Sequence, residues 1–254
     1  MEDIGIVMTK IFKLPPLDER LSAAASLVRD GAVIADIGTD HGYIPISLLL
    51  EGKIQSAAAS DIRPGPLNRA IANGEKYGVS EKMQFFLTDG LQNIPLADLG
   101  VTDIIICGMG GELISEILSA CPYIRNENIR LILQPMSAVE SLRKYLADSG
   151  FAVMEERLAC SNRKLYQCIA AQYDGMTHAY TPAQLLLGKQ IIKRGTKDPR
   201  FPSLLQKNIQ KTQREYQGKL QGGSDDAEQT YTLLRELLQI AKEKGIHCDA
   251  CTEI

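Results

Sequence analysis

The chain has 254 residues, of which 44% are apolar and 23% are charged, and this balance is typical of a globular protein in water. No apolar run approaches the roughly 18 residues that a membrane-spanning helix needs. The N-terminal segment carries Glu2 and Asp3, and it lacks the basic region and the small-residue cleavage site of a signal peptide. We therefore expect a cytoplasmic protein.

The net charge of −3 is unevenly distributed. Residues 1–160 contain 14 basic and 21 acidic side chains, whereas residues 161–221 contain 11 basic and 3 acidic side chains. An acidic part joined to a basic part is typical of a protein that binds a small ligand with one and a polyanion with the other. A solvent-exposed, lysine-rich helix would give the same composition, so the charge alone does not decide between the two.

Helical and strand-like patterns alternate from the N-terminus onward. A first helical pattern covers residues 14–31. The predicted strands are residues 32–37, 56–60, 83–88, 103–107, 130–134, 152–158 and 165–172. Between the first six strands, helices are predicted at residues 42–50, 64–77, 111–120 and 137–148, the last with a capping box formed by Ser137 and Glu140. This order predicts a Rossmann-like α/β fold, with a seven-stranded sheet that ends in an antiparallel hairpin.

The composition changes after Tyr180. Further helices are predicted at residues 182–194, 203–220 and 227–244. Apolar residues of the last two helices recur every three or four positions, which predicts the narrow seam of a coiled-coil-like helical hairpin. We therefore divide the chain into a Rossmann-like domain, residues 1–177, and a helical C-terminal domain, residues 178–254.

Aspartates end three successive predicted strands: Asp36, Asp61 and Asp89. Because ligands of open parallel sheets bind at the carboxyl ends of the strands, we expect these side chains to lie along one ligand site. Like charges repel each other, so the arrangement favours a ligand whose hydrogen-bond donors meet each carboxylate in turn.

The loops at these strand ends favour S-adenosylmethionine as that ligand. Gly38 and Gly42 allow a tight turn into a helix N-terminus, which favours a ligand carboxylate. Asp61, with Ile62 beside it, is placed for ribose hydroxyls, and Asp89-Gly90 for the adenine amine. A dinucleotide site would require the G-x-G-x-x-G pattern after the first strand, where this sequence has none.

Several motifs together resemble those of the bacterial family that methylates N1 of adenine 22 in tRNA. They are LPPLDERL (14–21), DIGTDHGYIP (36–45), SDIRPGPL (60–67), TDGL (88–91), ICGMGGELI (106–114), LQP (133–135) and LLLGKQIIKRG (185–195). The resemblance covers essentially the whole chain. One departure is Met136, where the family often carries a polar residue.

The resemblance implies an enzyme of the seven-stranded methyltransferase type that makes 1-methyladenosine in tRNA. We expect a monomer, and the uneven charge predicts that it binds the tRNA mainly through its basic C-terminal helices. Adenine N1 has an in-plane lone pair, so the reaction needs alignment and a carboxylate to stabilise the cation, together with extrusion of the base. We expect catalytic roles for Asp36 and His41. The predicted cofactor-binding residues are Arg20, Asp36, Gly38, Asp40, His41, Gly42, Asp61, Ile62, Asp89, Gly90, Cys107, Gly108 and Met109.

Two other functions remain open from the residues alone. A non-catalytic tRNA-binding protein could retain affinity for the cofactor, and a small-molecule methyltransferase could use the helical hairpin to dimerise. Binding of bulk tRNA and transfer of labelled methyl groups would separate these functions. Cys248 and Cys251 form a lone CxxC pair without the second pair of a structural zinc site, so we expect no bound metal.

Overall fold

The computed structural model describes residues 14–247, so the CxxC pair lies outside the described residues. The strands are β1 (Ala32–Ile37), β2 (Ile54–Asp61), β3 (Met83–Leu87), β4 (Asp103–Met109), β5 (Arg130–Pro135), β6 (Phe151–Ser161) and β7 (Lys164–Tyr173). The helices are α1 (Glu19–Ser26), α2 (Tyr43–Leu50), α3 (Pro64–Lys76), α4 (Gly111–Ser119), α5 (Val139–Asp148), α6 (Pro182–Leu187), α7 (Lys189–Arg194), α8 (Phe201–Gln221) and α9 (Ala227–Glu243).

The strands form one seven-stranded sheet in the order β3-β2-β1-β4-β5-β7-β6. Strands β1 to β5 are parallel, whereas β7 runs antiparallel to both β5 and β6. The predicted Rossmann-like fold with a terminal hairpin is therefore confirmed. Strand order reverses between β1 and β4, the position where open α/β sheets bind ligands.

Helices cover both faces of the sheet, and alternate residues of β4 show how. Ile105 packs in a core with residues of α1 and α2, while Ile104 and Ile106 pack in a second core with residues of α4 and α5. All three isoleucines are fully buried. Burial on both faces explains why the central strands have continuous apolar sequences rather than alternating ones.

The C-terminal helices form a third core around residues such as Leu205, Ile209 and Leu234. Helices α8 and α9 pack against each other, as the apolar spacing predicted, and the rings of Tyr216 and Tyr231 stack with centroids 5.2 Å apart. Leu158 of β6 belongs to the same core, so the helices pack directly on the sheet hairpin. None of the helices within residues 14–247 has the length and apolar character that crossing a bilayer would require.

The single helix predicted at residues 182–194 is wrong, because Gly188 separates α6 from α7 with a φ of 90°. A Cβ atom at this position would lie 2.5 Å from the carboxylate of Glu156 and 2.6 Å from the guanidinium of Arg143. These two side chains form a fully buried ion pair at 2.6 Å. Arg143 also donates to the carbonyl of Leu185, and the Gln190 amide donates to Glu156. Helix α6 therefore ends, and α7 begins, at this ion pair.

Two helix starts also differ from the prediction. The first helix begins at Glu19 rather than at residue 14, because the side chain of Asp18 caps it by accepting from the Leu21 amide at 2.8 Å. The capping box at the start of α5 is wrong, since the helix is preceded by Ala138 in a left-handed conformation and no side chain caps it. The carbonyl of Ser137 instead accepts from the amide of Gly111 at 2.9 Å, tying α5 to the loop after β4.

Candidate functional site

A cavity of about 810 Å³ opens at the carboxyl edge of the sheet, beside the loops that follow β1 to β4. Most of the predicted site residues lie along its wall: Arg20, Asp36, Gly38, Asp40, His41, Asp61, Ile62, Asp89, Gly90, Cys107, Gly108 and Met109. Gly42 does not line it. An added Cβ at Gly42 would lie 3.2 Å from the Cβ of Ala70, so this glycine allows α2 to approach α3.

Asp36 lies at the end of β1 and is 4% exposed. Its Oδ2 accepts a hydrogen bond of 2.6 Å from the hydroxyl of Thr39. The pKa of Asp36 is raised from 3.8 to about 6, mainly because the carboxyl is buried; the Thr39 hydrogen bond lowers this pKa and the nearby negative charge of Asp61 raises it. The site therefore holds a desolvated carboxylate that a positive charge would stabilise.

The end of β2 supplies two buried polar side chains to the cavity wall, Ser60 and Asp61. Asp61 is 5% exposed, and its Oδ1 accepts from the backbone amide of Arg63 at 2.9 Å. The buried hydroxyl of Ser60 has no hydrogen-bond partner among the described residues. Burying a hydroxyl without a hydrogen-bond partner costs free energy, so the Ser60 hydroxyl indicates that a ligand places a polar group at this part of the cavity wall.

The loop after β1 favours glycine at position 38, because its backbone is left-handed there and the side chain of Met109 packs against it. Gly38 has a φ of 70°, and an added Cβ would lie 2.3 Å from the methyl carbon of Met109. The amides of Gly38 and Thr39 both donate to the carbonyl of Ser60 at 2.9 Å. These bonds fix the loop of β1 against the end of β2.

Asp40 adopts a left-handed conformation, with a φ of 50°. Its carboxylate pairs with Arg69 at 2.7 Å and lies 3.6 Å from Nε2 of His41. The imidazole of His41 stacks on the ring of Tyr43 with centroids 5.1 Å apart and an interplanar angle of 16°. The carboxylate and the phenol ring therefore orient His41 at the cavity wall.

The opposite wall is organised by Gln134 at the end of β5. Its Oε1 accepts from Nη1 of Arg20 at 2.5 Å and from the amide of Gly108 at 3.2 Å. Arg20 also lies 3.6 Å from its acidic neighbour Asp18. Burial raises the pKa of the Cys107 thiol well above its usual value, with smaller contributions from the nearby Cys168 thiol and Asp36. Cys107 is therefore a protonated thiol at neutral pH.

Sequence reasoning assigned no site role to several wall residues, namely Thr39, Tyr43, Ser60, Arg63 and Met136. It also missed the buried Gln134, which supports the wall from behind. The first four of these wall residues lie within one or two positions of a predicted site residue, so the strand-end rule could have found them. Gln134 is different, because only the fold brings the end of β5 beside α1.

Comparison with known proteins identifies the family. Residues 17–169 match a family model described as a methyltransferase domain. The chain is 32% identical over 237 residues to the tRNA (adenine(22)-N(1))-methyltransferase of Bacillus subtilis (strain 168), an alignment that covers 89% of this chain and 96% of that protein. The chain belongs to the tRNA (adenine(22)-N1)-methyltransferase family.

Crystal structures of similar proteins agree with this family assignment. The B. subtilis M1A22 tRNA methyltransferase superposes with a TM-score of 0.73 at 32% identity, covering 91% of this chain and 99% of that chain. A Streptococcus pneumoniae protein in complex with S-adenosyl-L-methionine gives a TM-score of 0.72 at 31% identity, covering 89% of this chain and 99% of that chain. The general methyltransferase match ends before α6, so the C-terminal helices are shared with the tRNA (adenine(22)-N1)-methyltransferase family rather than with the wider domain.

Proposed function

We propose that this protein transfers a methyl group from S-adenosylmethionine to N1 of adenine 22 in tRNA, giving 1-methyladenosine. The observation that carries the proposal is the strand-end cavity with the carboxylates of Asp36, Asp61 and Asp89 along its wall. It lies in a chain that aligns over most of its length with the B. subtilis enzyme.

The residues of the cavity fit S-adenosylmethionine. The buried Ser60 hydroxyl lacks a partner among residues 14–247, and it lies on the cavity wall beside Asp61. The proposed partners are Asp61 for the ribose hydroxyls and Asp89 for the exocyclic amine of adenine. The amides at the start of α2, near His41, would face the carboxylate of the methionine moiety.

The cofactor supplies an activated methyl group on a sulfonium. Adenine N1 needs no general base, because its lone pair lies in the plane of the ring and is free to attack. The protein then has to align the base, exclude water and stabilise positive charge. Asp36 is proposed to stabilise the positive charge, and the apolar side chains of Met109 and Met136 are proposed to exclude water. His41, stacked on Tyr43, is proposed to hold the base.

We assign tRNA binding to the basic C-terminal helices of residues 178–254. The catalytic part is net acidic and would repel a phosphate backbone, so cations elsewhere must attract it. The candidates are Lys189, Lys193, Arg194, Lys197, Arg200, Lys207, Lys211 and Arg214. Arg200 already pairs with Glu19 and Asp198, and Lys211 pairs with Glu215, which makes Lys207 and Arg214 of α8 stronger candidates than these two. We expect a monomer acting in the cytoplasm, where tRNA is modified.

The test is methylation of an unmodified tRNA transcript by the purified protein with labelled S-adenosylmethionine. We expect one methyl group per tRNA, mapped by mass spectrometry to adenine 22. A transcript with guanine at position 22 is the matched control and should remain unlabelled. Labelling of the control, or tRNA binding without transfer, would contradict the proposal, and the second result would favour a non-catalytic binding protein.

A further inference from the structure

The hairpin of β6 and β7 extends well beyond the rest of the sheet. Strand β7 pairs with β5 only from Ile169 to Gln172, whereas its pairing with β6 continues to Ser161 and Lys164. Because β7 is antiparallel to β5, this extra part projects past the carboxyl edge of the sheet, where the cavity opens. Strand β5 itself continues for two residues past Leu133, so three of the five further residue pairs, at roughly 3.3 Å each, make an overhang of about 10 Å.

Contacts fix the overhanging hairpin beside the cavity wall. The hydroxyl of Ser161 donates to Oδ2 of Asp18 at 2.9 Å. The guanidinium of Arg20, which lines the cavity, lies 5.8 Å from the ring centroid of Tyr166 on β7. The tip of the hairpin is therefore held next to the site where the target base must enter.

The turn at the tip carries a residue that its backbone disfavours. Asn162 and Arg163 have φ values of 50° and 61°, the pattern of a two-residue type I′ turn. Glycine is favoured at the second position of such a turn, and arginine there costs free energy. Folding alone would therefore favour glycine, so the arginine side chain calls for another explanation.

The charges of the tip are not used within the described structure. Arg163 and Lys164 are exposed, and neither forms an ion pair with any residue in the range 14–247. The neighbouring cavity wall is acidic, with Asp36 and Asp61 buried along it. A polyanion whose base enters this cavity needs a cation at the rim to offset the repulsion.

We propose that Arg163 and Lys164 bind the phosphate backbone of the tRNA next to the target nucleotide and so position the base over the cavity. This inference rests on the proposed function. Both are positioning residues, because they act on the backbone and not on the reacting atoms. Arginine offers a planar fork for phosphate oxygens and lysine a point charge, and a two-residue turn holds both in a fixed place.

The decisive variant is Arg163→Gly, which gives the turn its favoured residue while removing the charge. For Arg163→Gly we expect a Tm equal to or above that of the wild type. For the double variant Arg163→Gly/Lys164→Ser we expect the KM for tRNA to rise about tenfold. The affinity for S-adenosylmethionine and the methylated position should not change, because phosphate contacts position the substrate without specifying sequence. The slope of log affinity against log salt should flatten by about 0.9 for each duplex phosphate that the variant no longer neutralises.

Two controls accompany this variant. Arg163→Lys keeps the charge and should keep most of the activity. Lys82→Ser removes an equally exposed cation just before β3, at the opposite edge of the sheet, and should leave the KM for tRNA unchanged. A purely structural turn would show a changed Tm and an unchanged KM.

The hairpin proposal is overturned if the double variant methylates tRNA with the wild-type KM. It is also overturned if calorimetry shows weaker S-adenosylmethionine binding, because the cations would then hold the cofactor. If the wild type leaves adenine 22 unmodified, the proposed function fails. Filter binding of tRNA then tests separately whether the hairpin tip binds the tRNA backbone. In that assay, loss of affinity in the double variant but not in Lys82→Ser supports the proposal, and equal affinities refute it.

Discussion

Replacing Asp36 by asparagine should stabilise the protein while it damages the reaction. The folded protein holds the pKa of Asp36 at about 6 against 3.8 in the absence of burial. A raised pKa means that the folded state binds the proton more tightly, so the contribution of Asp36 to stability is fully present below pH 3.8 and is lost as pH rises through 6. At about 1.4 kcal/mol for each pKa unit, the ionised carboxylate costs roughly 3 kcal/mol above that pH.

Asparagine removes this cost and can still accept the hydrogen bond from Thr39. We therefore expect Asp36→Asn to raise the free energy of unfolding by up to roughly 3 kcal/mol at pH 7.5, and by about half of that at pH 5. Urea unfolding at the two pH values measures the difference. Asp103→Asn is the control, because Asp103 is also buried but pairs with Arg29 at 2.6 Å, and its loss should destabilise the protein.

The same variant tests the proposed reaction. Asp36→Asn removes a negative charge where positive charge is transferred, so turnover should fall more than tRNA affinity does. Single-turnover methylation and filter binding measure the two quantities. Equal stabilisation at both pH values would show that the carboxylate is not desolvated, and a wild-type rate under saturating substrates would show that Asp36 takes no part in the reaction.

Three further outcomes are expected. Asp61→Ala should weaken S-adenosylmethionine binding at least tenfold in calorimetry, because hydrogen bonds to a charged group contribute roughly 1.5–3 kcal/mol each; unchanged affinity would remove Asp61 from the site. Alkylation of Cys107 should be slow at pH 7.5, because burial keeps its thiol protonated. Once it occurs, alkylation should abolish activity, and saturating cofactor should protect the thiol. Labelling of Cys107 without inhibition would place it outside the site. The pair Lys207→Glu and Arg214→Glu on α8 should weaken tRNA binding and its salt dependence, whereas Lys242→Glu on the acidic helix α9 should not. Equal effects of both changes would move the tRNA surface away from α8.

The amino-acid sequence by itself determined the sheet and the position of the candidate site. Central strands such as β1 are buried on both faces, and this produces short apolar runs that local patterns reveal. The ends of parallel strands fall on one edge by topology alone, so Asp36, Asp61 and Asp89 could be placed together before any contact was known.

Only the tertiary structure decided the features that join distant segments. The helix break at Gly188 depends on the buried pair of Arg143 and Glu156, which no local pattern around residue 188 contains. Gln134 supports the cavity wall only because β5 ends beside α1. The raised pKa of Asp36 comes mainly from burial. The hairpin tip at Arg163 overhangs the sheet because β5 is shorter than β7. Local sequence encodes backbone preference and periodicity, whereas desolvation and packing depend on which segments the fold brings together.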